Sequence, residues 1–159
     1  MTAVFQFSQT YGTTPGTAVD IGDGGGGNYW NYKNADDATP ANYSTYPITA
    51  AARSYGVYVR GHFTSSFISI SNIKFWASTL TLTGYGTGAL ISGSEQSSYG
   101  TPSTADTGDA NIPTTEGTAL GPTYSSNYSQ YLRTQLETAA DATPGDGGVS
   151  TFTMKYDET

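Results

Sequence analysis

The chain has no cysteine, which excludes disulfides, thiolate metal sites and a cysteine nucleophile together. Cations are nearly as scarce. Lys33, Arg53, Arg60, Lys74, Arg133 and Lys155 are the only Lys and Arg residues, against 13 acids, for a net charge of −7. They are scattered, whereas a nucleic-acid surface needs clustered cations to displace phosphate counterions. A polyanion would be repelled, and no nucleic-acid partner is expected. No window approaches the ~18 apolar residues of a membrane helix, so no membrane partner is expected either. The opening MTAVFQFSQTYG has neither a basic start nor a long apolar run, and no export signal is expected from it.

Histidine occurs once, at position 62. A Ser-His-Asp triad would have to use His62 as its base, yet no Gly-x-Ser-x-Gly elbow accompanies it. Its strand places it on the same face as Tyr58 and Arg60, and a surface histidine is expected. Only 12% of residues are charged, so polarity rests on Ser, Thr, Gly, Asn and Tyr. Such a hydroxyl-rich, nearly neutral surface suits extracellular and virion β-proteins better than metabolic enzymes, whose sites use more ionisable groups. At 159 residues the simplest organisation is one domain over 1–159, able to bury roughly 70% of its unfolded surface.

What is abundant is β patterning. AVFQFS alternates with Phe5 and Phe7 on one face. SYGVYVRGHF sets Tyr55, Val57 and Val59 against Tyr58, Arg60 and His62, a half-buried strand. In SFISISNIKFWAS, Ile68 and Ile70 share one parity and Ile73, Phe75 and Ala77 the other, which predicts a bulge or bend at Ser71-Asn72. TLTLTG (79–84) and GALISG (88–93) flank a glycine-rich turn and predict a hairpin. NYSQYLRTQLETAA fits helical spacing through Tyr128, Leu132 and Leu136, and also alternates as a strand; its length favours strand. VSTFTMKYDE points Phe152, Met154 and Tyr156 inward. Together these predict an all-β, antiparallel β-sandwich, jelly-roll or immunoglobulin-like, with long ordered loops at 9–47 and 93–127. Loops beyond ~15 residues are usually functional, and these hold too few aliphatics to bury themselves. A neighbouring molecule, another copy of the chain first of all, is expected to hold them.

The first loop contains AVDIGDGGGGNYWNYKNADD, from Ala18 to Asp37. It lacks the Lys-Ser/Thr and helix of a phosphate loop and the strand–helix unit of a dinucleotide turn. Asp20 and Asp23 are the one close carboxylate pair before the glycines, without calcium-loop spacing. A glycine turn with solvated acids is the expectation, with no metal and no cofactor. A glycosidase needs two carboxylates ~5–10 Å apart, and the spacing of Glu95, Glu116, Glu137, Asp157 and Glu158 pairs none of them. A non-enzymatic role is expected.

Thirteen tyrosines and two tryptophans carry the most promising signal, because Tyr and Trp supply large contact area at low entropic cost. Tyr29, Trp30, Tyr32, Tyr43 and Tyr46 in the first loop are the candidate partner-binding residues. Trp76 joins them, since its parity with Lys74 turns it away from Ile73, Phe75 and Ala77.

SISNIKFWAS, and more so YSQYLRTQLETAADATPGDGGVSTFTMKYDET, resembles the small β-sandwich structural proteins of tailed bacteriophages, which end in a strand, a Pro-Gly-Asp turn and a last strand with a Tyr-Asp-Glu tail. The matching residues are Tyr131, Leu132, Leu136, Pro144, Gly145, Phe152, Tyr156, Asp157 and Glu158. The resemblance implies a virion protein made in the host cytoplasm. It would be a capsid decoration protein that cements the outer capsid surface, with the major capsid protein and its own copies as partners. The alternative is a carbohydrate- or receptor-binding module of a tail or spike.

Overall fold

The computed structural model describes residues 3–21, 30–39, 44–88, 90–105, 111–145 and 147–159. Among these there is no helix. The strands are β1 (Val4–Tyr11), β2 (Thr17–Ile21), β3 (Val57–Thr64), β4 (Ile70–Thr79), β5 (Leu90–Gln96), β6 (Tyr131–Glu137) and β7 (Thr151–Glu158). They form two antiparallel sheets, β2-β1-β3-β6-β5 and β4-β7, which pack against each other as an all-β sandwich.

Period-two patterning places the core. β3 buries Val57, Val59 and Phe63, and β4 buries Ile70, Ile73, Phe75 and Ala77. The change of parity between Ile70 and Ile73 is a true bulge: the β4–β7 register slips between Ser71 and Lys74. Asn72 absorbs the extra residue at φ 51°, a left-handed conformation that Asn tolerates better than most residues. Ile68, beyond the strand, is exposed. β6 is a strand, with Leu132, Thr134 and Leu136 inward and buried. Aromatic rings fill the space between the sheets. Phe63 meets Tyr156 at 4.8 Å and Phe5 at 5.5 Å between ring centroids, and Phe75 lies parallel to Phe152 at 5.6 Å. Gly61 is required here, because a Cβ would stand 2.9 Å from the Phe63 ring and 3.0 Å from the Met154 sulfur.

Pairing departs from the sequence pattern in two places. β4 and β5 belong to different sheets, so 79–93 is not a hairpin. Residues 80–88 instead cross between the sheets and pack Leu80, Leu82 and Tyr85 against the core. The C-terminal pair behaves alike: β6 pairs with β3 and β5, while β7 pairs with β4. The strand–turn–strand stretch is therefore a second arch between sheets. Adjacent strands each carrying an apolar face can satisfy that face by opposing each other across the core as well as by pairing.

The long loops also differ from expectation. Residues 9–21 are the end of β1, a turn with a cis Thr14-Pro15 bond, and β2, which pairs with β1. Residues 93–96 complete β5. The described residues from 111 to 129 are laid along the chain's own sheets. Ile112 N–H donates to the Ile91 carbonyl, Ala77 N–H to Pro113, Leu120 N–H to Ile73, Tyr124 N–H to Ile70 and Phe63 N–H to Asn127. This segment thus leaves one sheet at β5, follows β4 and returns to the first sheet at β3. Residues 51–54 similarly extend β3 along β6, through Ala51 to Ala139 and Ser54 to Leu136. The backbone groups just named bond within the chain, as buried N–H and C=O groups require partners.

The outer face of the five-stranded sheet is covered as well. Arg60 stacks on Tyr128 at 3.7 Å and Tyr131 at 4.5 Å, Arg133 lies over Tyr58, and His62 stacks on Tyr128 at 4.3 Å. Tyr99 closes over Tyr58 and Tyr131, and its desolvation raises its pKa well above the usual tyrosine value. The face expected to meet solvent or a partner carries a second layer instead. His62 is correspondingly half-buried, with Nδ1 2.9 Å from the Asp20 carboxylate.

Candidate functional site

Both arches lie at one end of the sandwich and are tied together. Ala139 N–H donates to the Tyr85 carbonyl, Thr143 N–H to Gly84, Thr87 N–H to the Asp141 carboxylate and Thr81 N–H to the Ser150 hydroxyl. Residues 30–33 and 44–50 run beside them. Between these segments opens a cleft of about 830 Å³, within the usual range for small-molecule sites.

Trp30 and Phe152 stack at 5.0 Å, and the edge of Trp30 meets Phe7. Tyr32 lies deeper. Its hydroxyl donates to Thr134 Oγ1 at 3.0 Å, and Thr134 in turn donates to the Val57 carbonyl. Burial pushes the Tyr32 pKa up to about 12, although the bond to Thr134 and the neighbouring Trp30 work against the rise. The Trp30 N–H is buried beside that hydroxyl without a well-aligned acceptor of its own. Tyr85 rests on Gly147, where any Cβ would collide with its ring. Tyr46 and Val149 stand at the rim, 39% and 77% exposed.

Charge is neutralised at the wall. Lys33, only 4% exposed, donates to Asp37 at 2.6 Å and to the Thr39 carbonyl, and its ammonium also lies over the Tyr46 ring. No described carboxylate lines the cleft. Of the five acids offered for glycoside hydrolysis, four are engaged elsewhere: Glu116 with Lys74 and Lys155, Glu137 with Arg53, Asp157 with Asn72, and Glu158 with the Ala3 amide. The fifth, Glu95, is on β5 and does not line the cleft. Asp36 receives the Gly12 N–H, while desolvation raises its pKa. Among the described residues no group of three His, Asp or Glu side chains could hold a metal. Asp20 is bound to His62, and Asp23 lies outside the described residues.

Of the six candidate residues, Trp30, Tyr32 and Tyr46 converge on this cleft. Trp30 and Tyr32 are packed against the chain's own core, leaving Tyr46 as the open one. Trp76 is half-buried on β4 opposite Thr153, away from the cleft. Tyr29 and Tyr43 lie outside the described residues. Tyr85, Pro144, Val149 and Thr49 were missed. Their only sequence signal is their place in turns next to strand ends, which does not reveal that two turns meet. No protein-family model matches the chain, and neither does a curated protein or a solved structure.

Proposed function

We propose that the chain is a non-enzymatic recognition module of a virion surface, of the tail or spike type, which takes its ligand in the aromatic cleft. The observation that carries this reading is the convergence of Trp30, Tyr32, Tyr46 and Tyr85 on one open hollow whose lone cation is already paired. Concave, mostly apolar sites with a few polar groups are where small ligands bind. No described acid is among the residues lining the hollow, which supports binding without chemistry. The virion setting rests on the phage resemblance and on the acidic, cysteine-free composition.

Capsid cementing is the second reading. It draws on the same resemblance and on negative charge, which favours an exterior position over contact with packaged DNA. Its partners would be the major capsid protein and further copies of the chain. The described loop residues named above bond to their own sheets, so on this reading contact with the capsid would be made by surface these loops present outward. Counting copies per particle by quantitative mass spectrometry separates the two: a few copies support recognition at a tail or spike, and hundreds support cementing and remove the first reading.

A further inference from the structure

We infer that the ligand of this cleft is a neutral saccharide, seated with a sugar face against Tyr46 and its edge among the rim hydroxyls. The inference rests on the recognition reading above and adds the ligand's chemistry.

Charge comes first. A carboxylate or phosphate ligand needs a cation it can reach, and a cationic ligand needs a free acid. Lys33 is spent on Asp37 and the Thr39 carbonyl beneath the surface, and no described acid lines the walls. Burying an ion there would cost several kcal/mol without compensation. The described lining therefore favours a neutral ligand; Asp146, between Gly145 and Gly147 in sequence, lies outside the described residues.

A peptide adding as a strand is disfavoured by the walls themselves. Of the described lining residues only Ile91 and Phe152 belong to strands, and the turns bond across the two arches, Ala139 to Tyr85 and Thr143 to Gly84, which is not the open strand edge that β-augmentation uses. A purely aliphatic ligand would meet only part of the lining. Rings of Trp30, Tyr46, Tyr85 and Phe152 share it with Pro47, Pro144 and Val149, and Thr49 and Thr143 stand exposed beside them. Flat rings flanked by hydroxyls complement a molecule that has C–H faces and hydroxyl edges. A saccharide is that molecule.

The two tryptophans provide an internal control. Trp30 lines the cleft and Trp76 sits on β4 outside it, so the full chain labelled with ¹⁵N gives one reporting indole signal and one silent one. The probes are cellotriose, maltotriose and tri-N-acetylchitotriose as neutral sugars, trigalacturonate as the charged counterpart and p-cresol as a neutral apolar molecule. At least one neutral trisaccharide is expected to shift the Trp30 signal saturably while Trp76 stays still. Tyr46→Ala should weaken that binding about tenfold. Gly145→Phe should abolish it. A Cβ at Gly145 meets nothing within 4 Å, so this variant fills space at the cleft without straining the fold, and unchanged signals elsewhere verify that. If trigalacturonate binds as tightly as the neutral sugars, or if only p-cresol shifts Trp30, the saccharide inference falls and the recognition cleft survives. If no probe shifts Trp30, both fall.

Discussion

The two faces of the five-stranded sheet are buried by different means. On the inner face, Val57, Val59, Phe63, Leu132 and Leu136 meet rings from the second sheet, with little polar surface to satisfy. On the outer face, Tyr58, Arg60, His62, Tyr131 and Arg133 are covered by tyrosines from connecting segments. Five of the six buried side-chain polar atoms without a partner among the described residues lie on that outer face: Ser8 Oγ, Thr10 Oγ1, Arg60 Nε, Arg133 Nε and Gln135 Oε1. Each such atom costs free energy when dry. The inner layer supplies stability, while the outer layer mainly fastens the long connections down.

That ranking can be broken most directly by truncating one ring on each face. Phe63→Ala is expected to cost about 4 kcal/mol, since the site is closed on all sides and would keep a cavity. Tyr58→Ala, also buried, should cost about 2 kcal/mol, because loops can close over the gap and a partly unsatisfied polar layer is relieved. Urea unfolding of both variants checks this, and equal losses would remove the distinction between the faces.

A smaller effect is expected from Arg60→Met, which keeps the stem and removes the guanidinium from Tyr128 and Tyr131. The loss should be about 1 kcal/mol. If the outer layer is a fastening, amide exchange should quicken at 124–131 while Val59 and Phe63 remain protected. Uniform quickening would mean that the layer is as central as the core.

At the cleft end stability depends on pH. Tyr32 has a raised folded pKa, about 12 against an ordinary 10. The folded state therefore holds its proton where the unfolded chain has lost it. Its contribution is complete below pH 10 and is lost as pH rises towards 12. Tyr32→Phe should flatten that part of the alkaline stability curve, measured by urea unfolding at successive pH values. An unchanged slope would mean that the hydroxyl is wetter than its contacts imply.

The smallest effect belongs to Glu116, whose pKa is lowered by its hydrogen bonds to Lys74 and Lys155. Its contribution is present above the ordinary value of 4.5 and fades as pH falls below it. Because the group is solvent-exposed, Glu116→Gln should change the neutral-pH melting temperature scarcely at all. A shift comparable to that of Arg60→Met would show that surface charge outweighs ring stacking here.

Much of the local structure was legible in the residues. The alternation of Val57, Val59 and Phe63, the parity slip at Asn72 and the inward set Phe152, Met154 and Tyr156 all follow from a two-residue side-chain period. Trp30, Tyr32 and Tyr46 stood out because aromatic clusters in a turn-rich segment ask for burial or a partner. Their partner was less legible. Ring area can be covered by the chain's own core as well as by another molecule, and Phe7 and Phe152, far away in sequence, decided the matter for Trp30. The covering of Tyr58 by Tyr99 and Tyr131 was hidden for the same reason, since a face that alternates as polar gives no sign of a second layer.

The sequence alone determined that the chain forms strands and which side chains share a face, because both depend on neighbours one or two residues apart. It likewise closed off thiol chemistry by the chain's own side chains, because it holds no cysteine. Only the tertiary structure decided that β4 and β5, like β6 and β7, oppose each other across the core instead of pairing. That choice depends on which strand edges remain free once distant segments have docked. It brings two arches to the same end, and the cleft exists because they meet there.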